Sequence, residues 1–142
     1  MAKPTIVMVD GDDGYREELA AALGRDGYRV VQCSEAQPAW EEAVELDPAM
    51  IISELTLPDS DGMALLRMYR RAFPERTTQF IVLSRSHEPD QIVRSLEQGA
   101  DDHWSKVHNV EELAVRVGTA LRRRRSFARN WRRDASHLAH RR

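Results

Sequence analysis

Four carboxylates, one hydroxyl and one ammonium are placed in this chain where they could act together. Asp10, Asp12 and Asp13 follow the apolar run Thr5-Ile-Val-Met-Val9, Glu54 follows Met50-Ile-Ile-Ser53, Ser84 ends Phe80-Ile-Val-Leu-Ser84, and Lys106 follows Asp101 to Trp104. Carboxylates with a hydroxyl and a lysine are the groups a magnesium-assisted phosphoryl-transfer site needs, the metal and lysine neutralising charge on the transferred group. Such groups work only if the fold gathers them. Each lies where a strand-sized segment stops, and in an open parallel sheet the functional crevice forms at the carboxyl ends of the strands.

The intervening sequence predicts that sheet. The runs at 5–9, 28–33, 50–53 and 80–84 read as strands, the apolar ones buried on both faces, with a brief fifth at 101–104. Between them lie helical segments: Tyr15 to Leu23, ended by Gly24 and Gly27; a helix opened by a Ser34/Gln37 capping box and closed before Pro48; Gly62 to Phe73, stopped by Pro74; and Pro89 to Gln98. A last helix starts from an Asn109 cap with Glu112 at its third position. Five strand-helix alternations imply right-handed crossovers and a parallel sheet covered on both faces.

Bulk properties agree with one domain and an appendage. The 142 residues are 42% hydrophobic and 31% charged, the usage of a soluble globular chain, and no apolar stretch is long enough to span a bilayer. No secretory pattern opens the chain and Cys33 is its single cysteine, so a cytoplasmic location and no membrane partner are expected. Charge is divided: residues 122–142 carry nine arginines and one acid, against 12 basic and 22 acidic side chains in residues 1–121. The expected division is a domain over 1–121 and a basic helical extension or linker over 122–142.

Several ordered pieces carry a resemblance: Ile6-Val-Met-Val-Asp10 with Arg16 and Leu19, Gly27-Tyr28-Arg-Val30, Pro48 to Ile52, Leu57-Pro58-Asp59-Ser60-Asp61-Gly62, the strand ending at Ser84, Gly99-Ala-Asp-Asp102, and Lys106. Over residues 4–121 the chain resembles the receiver domain of bacterial two-component response regulators. The resemblance implies a flavodoxin-like (βα)5 doubly wound sheet of strand order 2-1-3-4-5, here with an extended C-terminal helix. It further implies an aspartate at the end of the third strand that accepts phosphate from a histidine kinase. A hydroxyl and a lysine would bind the phosphoryl oxygens, and magnesium would be held partly by an acidic pair after the first strand.

The chain departs from that pattern at the acceptor position, occupied by Glu54, and at the second member of the acidic pair, which is Gly11. Val107 stands where a proline usually follows the lysine, and Arg85 where a small residue usually follows the hydroxyl. Glutamate carries its carboxylate roughly 1.5 Å farther out than aspartate. Magnesium tolerates little departure from octahedral geometry, and a misplacement of about an ångström costs about a hundredfold in transfer rate. No magnesium or other cofactor is therefore expected. Glu54 is expected to contact Lys106 permanently, either imitating the phosphorylated state or as the remnant of a decayed site.

Asp10 and Asp12 are the acidic-pocket candidates, although backbone alternation turns Asp12 the other way, and Asp13 is expected to cap the following helix. Ser53 should face away from Glu54. His103 falls at the family's aromatic switch position, with a part-exposed ring on an edge strand as the simpler explanation.

Apolar positions 113, 117, 120, 127, 131 and 138 recur about every 3.5 residues, interrupted by Arg124, which predicts a final helix running beyond the domain and pairing with its twin. Arg133 to Arg142 is similar to the opening of diguanylate cyclase domains, though no cyclase catalytic motif follows. The leading expectation is a noncatalytic signalling module that binds a kinase or an output domain and forms a homodimer through its last helix. The rivals are an ordinary phosphorylated receiver with an altered site, and a nucleic-acid-binding regulator using its arginines, disfavoured because no recognition-helix or zinc pattern accompanies them.

Overall fold

The structure is a computed structural model that describes residues 3–85 and 88–139, with side chains of the last helix as far as Arg124. Among the described residues ten elements alternate strictly: β1 (Thr5–Val9), α1 (Asp13–Arg25), β2 (Arg29–Cys33), α2 (Ala36–Leu46), β3 (Met50–Ser53), α3 (Gly62–Ala72), β4 (Gln79–Ser84), α4 (Pro89–Glu97), β5 (Asp102–Ser105) and α5 (Val110–Ala139). The five strands form one parallel sheet in the order β2-β1-β3-β4-β5. No helix among the described residues is long and apolar enough to cross a membrane.

Period-two alternation divides the apolar strands between two cores. Ile6, Met8, Met50, Ile52, Ile81, Leu83 and Trp104 pack under α1 and α5 with Leu19, Leu23, Leu113 and Val117. Val7, Val9, Ile51, Phe80 and Val82 face α2 and α3, against Ala39, Ala43, Leu65, Leu66 and Tyr69. Burial on both faces explains why the inner strands read as unbroken apolar runs. Register then aligns the strand ends: Val9 pairs with both Cys33 and Ser53, and Ser84 pairs with Ser105.

The helix termini correct three expectations. Asp12, not Asp13, caps α1, its carboxylate accepting from the Tyr15 amide at 3.1 Å, while Asp13 is the first helical residue. Gly24 lies inside α1, and the chain turns at Gly27, whose φ of +94° only glycine adopts readily. The expected Ser34/Gln37 capping box is absent: α2 has no cap from its own side chains, and Gln37 instead bonds Glu41. At the start of α5 the Asn109 carboxamide accepts from the Glu112 amide at 2.8 Å, as the sequence predicts.

What caps α2 comes from the segments flanking α3. The Asp59 carboxylate accepts from the amides of Ala36 at 2.7 Å and Gln37 at 2.9 Å. At the other end Arg76 donates to the carbonyls of Ala43 and Val44 and pairs with Asp47. An acid at the N-terminus and a base at the C-terminus complement the helix dipole, which α2's own end turns leave unmatched. The Ala36 and Gln37 amides hold the Asp59 carboxyl below its ordinary value of 3.8. A folded value below the unfolded one stabilises above the unfolded value and is lost as pH falls through the folded one. Asp59→Ala should therefore lower the melting temperature by several degrees at neutral pH, and the gap from the wild type should close as the pH of the melts is taken below 3.8.

Candidate functional site

The strand register assembles a cleft at the carboxyl end of the sheet, about 550 Å3 in volume, with Asp10, Gly11, Asp12, Glu54, Ser84, Arg85 and Lys106 among its walls. Asp10 is buried at the end of β1, where its amide donates to Cys33 O and its carbonyl accepts from the Arg16 guanidinium at 2.7 Å. Glu54 prolongs the pairing of β3 with β1, its amide donating to Val9 O. Ser84 is buried at the end of β4, and its carbonyl accepts from the Lys106 amide across to β5.

The Lys106 side chain is only 5% exposed and runs back into the cleft. Its Nζ lies 2.6 Å from Asp10 Oδ2 and 2.5 Å from Glu54 Oε2. The remaining oxygens are also engaged: Asp10 Oδ1 accepts from the Asp12 amide and Glu54 Oε1 from the Leu55 amide, both at 2.9 Å. One ammonium between two carboxylates leaves an excess of acidic groups on side chains that are themselves little exposed. Lys106 also stands over the face of Tyr15, 4.7 Å from the ring centroid.

Asp12 lies at the mouth of the cleft. Its Oδ1 caps α1 and its Oδ2 meets an Arg85 nitrogen at 2.8 Å, so the expectation that it points away is corrected. The Tyr15 amide, followed by Arg85 and Lys106, holds the Asp12 carboxyl below its ordinary value. Asp10, Gly11, Asp12, Glu54, Ser84 and Lys106 thus share one cleft, whereas Asp13 pairs with Arg16 on the first turn of α1. His103 lies outside it on β5, its Nδ1 3.0 Å from the Ser95 hydroxyl of α4. Ser53 is fully buried and its hydroxyl donates to the Glu54 carbonyl. The arginines and apolar positions beyond 124, with the similarity at Arg133 to Arg142, lie outside the described side chains.

Sequence reasoning missed Tyr15 as part of the site, and read Arg85 only as a departure from the family's small residue, without a partner. Tyr15 reads as one more apolar position on the α1 stripe, and nothing in its spacing reports the lysine above it. Its hydroxyl is buried with no hydrogen-bond partner among the described residues. Burial first, then the charges of Asp10, Glu18 and Glu54, push the phenol up to about 12. For an acid whose folded value is raised, the contribution to stability is whole below the unfolded value of 10.0 and shrinks as pH rises toward about 12. Tyr15→Phe should leave stability at neutral pH unchanged or slightly higher and should flatten the alkaline decline, read by urea denaturation at neutral and strongly alkaline pH.

The carboxylates do not present an open coordination set. Gly11 offers no side-chain oxygen, the carboxylate oxygens of Asp10, Asp12 and Glu54 each have a donor from the chain itself, and no group of three metal-ligating residues stands ready among the described residues.

Fold, strand-end carboxylates, hydroxyl and lysine together define a signalling receiver domain. Residues 6–118 match the family model described as the response regulator receiver domain, and the chain belongs to that family. Among its relatives, the KDP operon transcriptional regulatory protein KdpE of Escherichia coli is 40% identical over 121 residues, 83% of this chain and 51% of that protein. The phosphate regulon transcriptional regulatory protein PhoB of Pseudomonas aeruginosa is 32% identical over 87% of this chain and 54% of its own length. The chain thus spans about half the length of these relatives. Among solved structures, a CheY-like receiver domain from Methanospirillum hungatei superposes with a TM-score of 0.81 at 22% identity, covering 88% of this chain and 98% of that one. A two-component response regulator from Clostridium difficile gives 0.78 at 26% identity, covering 85% and 98%.

Proposed function

We propose that this receiver relays signals by contact with protein partners, with the Glu54 carboxylate serving as a permanent negative charge where its relatives carry a transient phosphoryl group. The observation that supports the reading is the Glu54 to Lys106 ion pair of 2.5 Å, with the lysine 5% and the glutamate 13% exposed. In-line transfer depends on the carboxylate's aim, and the contacts of the two Glu54 oxygens, one with the Leu55 amide and one with Lys106, orient it toward the lysine. The partners proposed are a histidine kinase or an output domain, with self-association through α5. KdpE and PhoB are transcriptional regulatory proteins about twice the length of the matched segment, which supports placing this domain as the controlling part of a regulator.

The test is the intact mass of the protein after incubation with acetyl phosphate and magnesium. The wild type should gain no phosphoryl mass, and stoichiometric labelling at Glu54 would overturn the reading. A Glu54→Asp, Gly11→Asp double variant is the positive control. A Cβ at position 11 would lie 3.2 Å from Pro58 Cγ, so Pro58 must yield by a few tenths of an ångström, and the control needs a melting curve beside it.

A further inference from the structure

The cleft mouth carries a charge arrangement that the receiver pattern does not call for. Arg85 and Asp12 are 73 residues apart in sequence, yet their side chains meet at 2.8 Å between the end of β4 and the start of α1. With that contact, all six carboxylate oxygens of Asp10, Asp12 and Glu54 accept from the chain: two from Lys106, one from Arg85, and three from the amides of Asp12, Tyr15 and Leu55. Among the described residues, three carboxylates face two cations. Without Arg85 the described walls would carry three negative charges against Lys106, and Asp12 Oδ2 would be released at the solvent side.

We propose that Arg85 is the resident cation of this cleft, taking at Asp12 the share of charge neutralisation for which a divalent ion would otherwise compete. The pair itself adds little to stability, since the arginine is 73% and the aspartate 40% exposed. Its consequence is selectivity. Magnesium keeps several waters and binds through one or two carboxylates, so an Asp12 oxygen freed in the cleft would give an ion a second carboxylate beside Asp10. Arg85 also ties the first residue after β4 to the cap of α1, setting the cleft in one charge state whatever the divalent-ion concentration. The functional meaning rests on the proposed fixed-charge reading, while the cation assignment stands on the contacts alone.

The full chain should be melted with and without magnesium as wild type, Arg85→Gln and Arg85→Gln with Asp12→Asn. Arg85 is exposed and asparagine caps helices as well as aspartate, so all three should fold. The wild-type melting temperature should not move with magnesium; Arg85→Gln should rise by several degrees; the added Asp12→Asn should cancel the rise. Manganese should broaden the Gly11 and Asp12 amide resonances in Arg85→Gln only. A wild type stabilised as strongly as Arg85→Gln, an Arg85→Gln without response, or a response that survives Asp12→Asn would each overturn the assignment. None of these outcomes depends on labelling of Glu54, so the two proposals fail separately.

Discussion

Lys106→Met should destabilise the domain by about 3–5 kcal/mol, the largest effect expected of any single substitution at the cleft. The lysine is 5% exposed and neutralises two carboxylates that are themselves 5% and 13% exposed. Methionine fills much of the stem's volume, so the loss comes from charge: Asp10 and Glu54, both little exposed, would be left without their shared cation. Urea denaturation measures the difference. Lys106→Met combined with Glu54→Gln should recover part of the loss, because one of the two stranded charges is removed with its partner. The two substitutions should then be non-additive in a double-mutant cycle, as expected of groups in direct contact. A loss below about 1 kcal/mol, the range of exposed pairs, would show that the triad is solvated and would remove the support for Glu54 as a held charge.

Gly62→Ala should cost about 1–3 kcal/mol and displace Glu54. A Cβ on Gly62 would collide with the Glu54 carbonyl oxygen and come within 2.9 Å of Ser53 Oγ and 3.2 Å of the Glu54 carbonyl carbon. The Gly62 amide also donates to Leu55 O, so the first turn of α3 and the end of β3 are packed backbone to backbone. Backbone cannot swing aside as a long side chain can. The strand end must shift, and the carboxylate it carries moves away from Lys106. Gly24→Ala is the matched control: a Cβ there meets nothing within 4 Å, and Gly24 lies in the last turn of α1 without a positive φ. Alanine at that position should stabilise by about 0.5–1 kcal/mol through lower backbone entropy in the unfolded chain. One substitution type thus has opposite signs at two helical glycines, and thermal melts of both variants read the contrast.

Much of the site was legible before the structure because its members sit at strand ends. A strand buried on both faces is a short apolar run, and a parallel sheet gathers the residues that follow each run, so Asp10, Glu54, Ser84 and Lys106 converge by topology alone. Their convergence needs only the order of elements and the period-two alternation that also turns Ser53 away. The Asn109/Glu112 cap was equally legible, since both partners lie within one helical turn.

What failed was whatever depends on side chains meeting across loops. Ser34 and Gln37 have the spacing of a local cap, but α2 takes its cap from Asp59, 22 to 23 residues downstream. Asp12 and Asp13 are equivalent as caps in sequence, and the path of the β1–α1 turn chooses Asp12. Gly24 and Gly27 are both adequate helix stops by composition, but only Gly27 has the positive φ of the turn. The element order and the strand-end chemistry were therefore determined by the sequence itself, through periodicities that act over a few residues. The Arg85 to Asp12 bridge, Tyr15 beneath Lys106 and the clamp on α2 were decided only by tertiary structure. Each joins side chains from segments whose approach is set by how the helices pack on the sheet, and no local pattern encodes that distance.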